Sequence, residues 1–268
     1  MGIEHGLLKE IERDTLNAFA LERVTQYQKL KIGNFEISTP FFSNDTALLF
    51  GQIMSDVGVS NEDIVNVFNV YNNNKVPFGW FRGKGTPEQI TFAAKEIAKQ
   101  WDLDLSKAAN SEVITEFMKA AGLGIDCSGF VYQTLKYSFE KAGYTSVLDS
   151  VLRGIDVHEE ENEYRIGVKN FTGKASRVIH PAETQPIDII VIKDPTRGKY
   201  THMALILKRD EDLMIAHSVI GQIPTGVHMS YLQIENDLPQ FSFRPNLTER
   251  WEKLYKMGNL EFRRLNVF

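Results

Sequence analysis

A single cysteine, Cys127, occurs in 268 residues. One thiol excludes an internal disulfide, and six scattered histidines give no zinc-finger spacing. Neither a metal nor an organic cofactor is therefore expected. A long run of one charge is also missing. Thirty Lys and Arg stand against 35 Asp and Glu, for a net charge of -5 without a basic block. That pattern excludes the usual electrostatic footprint for nucleic acid. No apolar run reaches the roughly 20 residues that a membrane-spanning helix needs. The first residues, MGIEHGLLKEIERDTLNAF, hold no charged segment followed by an apolar one, so no signal peptide is expected. The chain as given reads as cytoplasmic, or as extracytoplasmic or wall-associated if an export signal has been removed. Repeats and low-complexity stretches are absent, and nothing indicates an oligomeric state.

What is present is an ordinary globular composition, 43% hydrophobic and 24% charged. Ile3, Leu7, Leu8, Ile11, Leu16, Phe19, Ala20 and Val24 recur at helical spacing, which predicts a helix over 3–30. Gly33 and Pro40 interrupt it, and 45–70 reads as helix again. The polar NNNK at 72–75 divides a helical accessory region, 1–75, from a second region, 76–268. Within the second, about 86–122 reads as two helices. Thr86 is an N-cap, Pro87 suits the first turn, Gln89 completes a capping box, and Gly122 is a stop. From 124 onward, Phe130, Val131, Thr134, Leu135, Ser138 and Phe139 form one apolar helical stripe that ends at Gly143. Short β-rich runs follow: PIDIIVIKD, THMALILKR, DLMIAHSVI, GVHMSYL and EFRRLNVF, with KRDED at 208–212 as a hairpin turn. Helices first and antiparallel strands later predict an α+β fold.

Cys127 stands at the predicted start of the stripe helix. A thiol attacks as thiolate, and its ordinary pKa is about 8.5. A helix N-terminus contributes about 0.3–1 kcal/mol, or ~2 kcal/mol when partly buried. That lowers the pKa by only about one unit. A nucleophile here needs a nearby imidazolium, and Asp126 must turn its charge away from the sulfur. Of the six histidines, His5, His158, His180 and His228 lie in less suitable contexts. His202 opens one strand and His217 nearly ends the next, so the KRDED hairpin brings the two imidazoles together. A base and its orienter need that arrangement. The bland alternatives are satisfied structural histidines and a buried cysteine.

DCSGFV before a helix, then PIDIIVI, HMALIL and IAHS, resembles the NlpC-type cell-wall endopeptidases, a papain-like cysteine peptidase family. The resemblance covers roughly 124–268 and implies a papain-like NlpC-type domain. It assigns Cys127 as nucleophile, His202 as general base and His217 as orienter. Backbone amides at the helix start, with Ser128 and Asp126 beside them, would serve the oxyanion and the surrounding hydrogen bonds. QPID and the pair Arg263–Arg264 resemble further family features. PFGWFRG stands where the family has Pro-Tyr-x-Trp-Gly-Gly, and 86–122 separates it from the cysteine as an insertion. Phe78 replaces the tyrosine of that segment, and Phe78 and Trp80 are its substrate-binding candidates. Ile187 replaces the family glycine before Asp188.

The implied substrate is a peptidoglycan stem peptide or muropeptide, cut at a γ-D-glutamyl bond to a diamino acid. Such a substrate is anionic, which makes the loop cations Arg197, Lys174 and Lys199 candidates for binding it. Alternatives are an amidase, acyltransferase or isopeptidase on the same scaffold, a catalytically silent wall-binding module, or a delivered antibacterial effector.

Overall fold

The computed structural model describes residues 12–42, 83–152, 165–220 and 226–268. The helix predicted over 45–70, the break at 72–75 and the boundary near 75 lie outside them, as do Phe78, Trp80, His5 and His158.

Helix α1, Arg13–Gln28, buries Leu16, Ala20, Val24 and Tyr27. These sit at intervals of three and four, so they share one face. That face packs on α4, Cys127–Lys141, where Tyr27 meets Phe130 edge-on at 5.5 Å. The described part of 1–75 therefore shares a core with the motif helix. A short hairpin, β1 (Leu30–Ile32) and β2 (Phe35–Ile37), turns at Gly33. Helices α2 (Pro87–Gln100) and α3 (Ser111–Ala120) pack beside β1 and β2 respectively. The capping box forms as the sequence indicates: Thr86 Oγ1 accepts from the Gln89 amide, and Gln89 Oε1 accepts from the Thr86 amide. Gly122 and Gly143 take positive φ just past α3 and α4. Glycine does this without the Cβ penalty that other residues meet. Helix α5, Val147–Val151, follows α4.

Among the described residues, the main sheet has seven strands. These are β3 (Ser176–Ile179), β4 (Ile189–Lys193), β5 (Tyr200–Arg209), β6 (Asp212–Val219), β7 (Gly226–Glu235), β8 (Leu238–Phe241) and β9 (Leu260–Leu265). Their order is β3-β9-β4-β5-β6-β7-β8, and every pairing is antiparallel. The fold is α+β. The β5–β6 hairpin turns at Asp210 and Glu211, with Arg209 opposite Asp212.

Two helices lie outside the sequence expectation, α5 and, between β8 and β9, α6 (Pro245–Lys256). Pro245 in its first turn and Leu247, Trp251 and Leu254 at helical spacing are the sequence signals of α6. It covers the second face of the sheet. One core joins α1 and α4 to Ile189, Val191, Met203, Leu205, Leu207, Ala216 and Val227. The other joins Trp251 and Leu254 to Ile190, Ile192, Ala204, Ile206, Ile215 and Phe241. Strands β4 and β5 are thus buried on both sides, which is why IIVI and MALIL read as unbroken apolar runs.

Candidate functional site

Asp126 is the N-cap of α4, and its Oδ1 accepts from the Gly129 amide at 2.6 Å. A carboxylate here satisfies one of the free first-turn amides and complements the helix dipole. Its charge is met by Lys84, whose Nζ lies 2.8 and 2.7 Å from the two carboxylate oxygens. Lys84 Nζ also donates to Ser128 Oγ at 2.6 Å, and Ser128 Oγ lies 3.1 Å from Asp126 Oδ1. All three groups are buried. The acid before the cysteine is thus held by an amide and a cation, yet its charge still acts on the thiol. Gly129 lies against the Gly83 carbonyl and the Lys84 stem, where a Cβ would collide. Each neighbour of Cys127 in the Asp-Cys-Ser-Gly run thus holds the start of α4 to the strap at Gly83–Lys84.

Cys127 is 8% exposed and belongs to the core shared with Met203, Leu205 and Val227. Burial pushes its thiol up to about 12, and the Asp126 charge adds to this. Lys84 and the backbone of Met203 and Ser128 oppose the rise without overcoming it. A group so placed stays protonated near neutral pH.

The two histidines do meet. His202 Nε2 and His217 Nδ1 lie 3.2 Å apart. They meet on the other face of the sheet. His202 stands 5.7 Å edge-on from Trp251, and His217 packs 5.4 Å from Trp251 and 5.2 Å from Phe243. Strand parity requires this. Met203, facing α4, pairs with Val191, while His202 pairs with Ile192 in the opposite core. Neighbouring residues of a strand point to opposite faces. Ser218, next to His217, reaches the α4 side and donates to the Ile125 carbonyl at 2.7 Å. Where a thiolate–imidazolium pair needs His202 and His217, the face toward Cys127 carries Met203 and Ser218.

The expected Cys127–His202–His217 constellation is corrected accordingly. The structure unites the two imidazoles and leaves the cysteine on the far side of β5 and β6. Burial lowers His202 to about 4, with the Arg250 charge adding to the effect. Burial, then His202 and His228, lower His217 well below the ordinary value. His217 Nε2 has no hydrogen-bond partner.

Matched against protein-family models, curated proteins and solved structures, the chain has no significant counterpart in any of the three.

The remaining site candidates separate. Arg197 is exposed in the β4–β5 loop, where its amide donates to Asp194 Oδ1 at 3.0 Å. Lys174 and Lys199 are exposed. Ser128 joins the Lys84–Asp126 cluster and has a structural partner on each side. Asp188 of QPID is fully buried, accepting from Arg264 at 2.9 and 2.8 Å and from Arg13 at 3.2 Å. Arg264 thus clamps β9 to the entry of β4, and Arg13 adds α1. Arg263 instead reaches the carbonyl and hydroxyl of Ser176 on β3. Lys84 was missed because its partner is 42 residues away, and a lone lysine between glycines carries no signal. Trp251 and Phe243 were missed with α6. Among the described residues, no group of three or more His, Cys, Asp or Glu could hold a metal ion, and no helix is long and apolar enough to cross a membrane.

Proposed function

We propose that this chain is a papain-like, NlpC-type scaffold that binds a peptidoglycan stem peptide or muropeptide without hydrolysing it. The scaffold reading rests on the Asp-Cys-Ser-Gly run opening a helix that packs on an antiparallel sheet, and on the order of the strands that follow. The ligand class comes from that resemblance. One observation carries the absence of turnover: Cys127 and the His202–His217 pair occupy opposite faces of the sheet. Among the described residues no imidazole stands beside the thiol to take its proton, and burial keeps it neutral.

A second reading keeps the cysteine endopeptidase, or an amidase or acyltransferase of the same chemistry. The 3.2 Å contact between His202 and His217 favours it, because a base and its orienter make that contact. It requires His202 to reach the α4 face, a one-residue change in the register of β5 that would turn over its buried side chains.

Two measurements on the native protein decide between them. One is the iodoacetamide alkylation rate from pH 5 to 10, with and without His202→Ala. The other is mass spectrometry of muropeptides after incubation, alongside calorimetry of their binding. Binding without cleavage, and slow alkylation that His202→Ala leaves unchanged, supports the silent module. Cleavage that Cys127→Ala abolishes, with fast alkylation below pH 8, establishes the peptidase instead. Absence of both binding and cleavage removes the cell-wall ligand.

A further inference from the structure

Away from Cys127, the end of α1, strand β1 and the first turns of α2 border an open surface groove of about 500 Å³. Its apolar floor includes Pro87 and the half-exposed ring of Phe92. Lys29, Lys31 and Lys95 stand around it, all exposed. The one acid in the lining, Glu88, is committed: Arg23 Nη1 donates to its Oε1 at 2.6 Å. Among the described residues, no ion pair engages the three lysine ammonium groups. Glu36 stands opposite Lys31 across the hairpin, so the three lysines leave the groove an excess of positive charge in a chain whose net charge is -5. The first turn of α2 contributes its positive dipole end to the same concavity. Like charges set around one concavity attract a ligand of opposite sign.

We propose that this groove docks an acidic peptide segment whose carboxylates meet Lys29, Lys31 and Lys95 while an aliphatic side chain lies on Phe92 and Pro87. The apolar floor favours a peptide over a compact inorganic anion, which would gain nothing from it. The inference stands apart from the stem-peptide reading, since it uses neither Cys127 nor the sheet.

The test uses the full chain and a fluorescein-labelled peptide, Glu-Glu-Leu-Glu-Glu, with Gln-Gln-Leu-Gln-Gln as its neutral counterpart. Anisotropy is read at low and at physiological salt. The acidic peptide is expected to bind at least about tenfold tighter than the neutral one, to weaken with salt, and to lose about tenfold or more in Lys31→Glu/Lys95→Glu. Lys141→Glu/Lys256→Glu, with the same charge change elsewhere, should leave binding within about twofold. Equal losses in both double variants would overturn the site. So would the absence of saturable binding. Displacement by millimolar inorganic phosphate as readily as by unlabelled peptide would make it a small-anion site and overturn the peptide assignment. The changed lysines are exposed, and an unaltered melting curve confirms that each variant folds.

Discussion

His202 Nε2 and His217 Nδ1 lie 3.2 Å apart against Trp251, on the side of the sheet turned away from Cys127. Two neutral imidazoles in an aromatic box behave differently from a catalytic pair, and acid separates the two descriptions. The folded pKa of His202 is lowered to about 4 from an ordinary 6.5, and that of His217 is lowered well below its ordinary value. Unfolded chains therefore take up protons first as pH falls. The stability due to keeping these rings neutral is complete above about pH 6.5 and is lost progressively down to about pH 4. Each pH unit in that window costs about 1.4 kcal/mol for His202, and His217 adds to the fall in the same direction. Urea midpoints measured between pH 7.5 and 4.5 should fall along that slope. The slope should flatten in His217→Phe.

That same substitution should change stability little at pH 7.5. His217 Nε2 is buried without a partner, and an unpaired buried polar atom costs about 1–3 kcal/mol. Phenylalanine fills a similar volume beside Phe243 and Trp251 and removes that atom, but it also takes away the Nδ1 partner of His202 Nε2, at a comparable cost. The expected net change is within about 1 kcal/mol of zero, read from the urea midpoint at pH 7.5. A large loss would mean that the imidazole has a role the packing does not reveal.

Lys84 and Asp126 are a buried pair, with side chains 3% and 10% exposed. Removing one member of such a pair leaves the other uncompensated, at a cost of about 3–5 kcal/mol. Lys84→Met should lose that much, measured by denaturant unfolding. Lys84→Met/Asp126→Asn should recover part of it, because asparagine still caps α4. Failure of the double variant to recover anything would show that the cation's bond to Ser128, and not its charge, holds the helix start.

Ile187 adopts φ +72 while wholly buried. A β-branched residue in the left-handed region is strained by about 1–2 kcal/mol. Ile187→Gly releases that strain while removing a buried side chain worth about 1.5–3 kcal/mol. Ile189→Gly, in the middle of the same core, releases nothing. The first substitution should therefore cost less than half as much as the second in parallel unfolding experiments. Equal costs would mean that the surroundings have relaxed the backbone at Ile187.

Local signals were legible. Asp126 before an apolar stripe defines the start of α4, Thr86 and Gln89 define that of α2, and Asp210 falls in the hairpin that joins β5 to β6. These features depend on residues within a few positions of one another, and the chain carries them wherever it folds. The meeting of His202 with His217 was equally local, since one tight hairpin fixes both.

The face on which they meet was decided by the tertiary structure. Side-chain direction is read from the alternation of apolar and polar residues, and HMALIL has none after His202, because both faces of β5 are buried. Its orientation depends instead on the register of β5 with β4, which shifts between Ile192 and Lys193. It also depends on α6, whose Trp251 covers the face that the imidazoles enter. The partner of Asp126 was likewise hidden, being a lysine 42 residues earlier that reaches it only through the fold. The sequence by itself determined which elements form and where Cys127 sits on its helix. Only the packing of those elements on two sides of one sheet determined what the thiol faces, because one residue along a strand reverses the direction of a side chain.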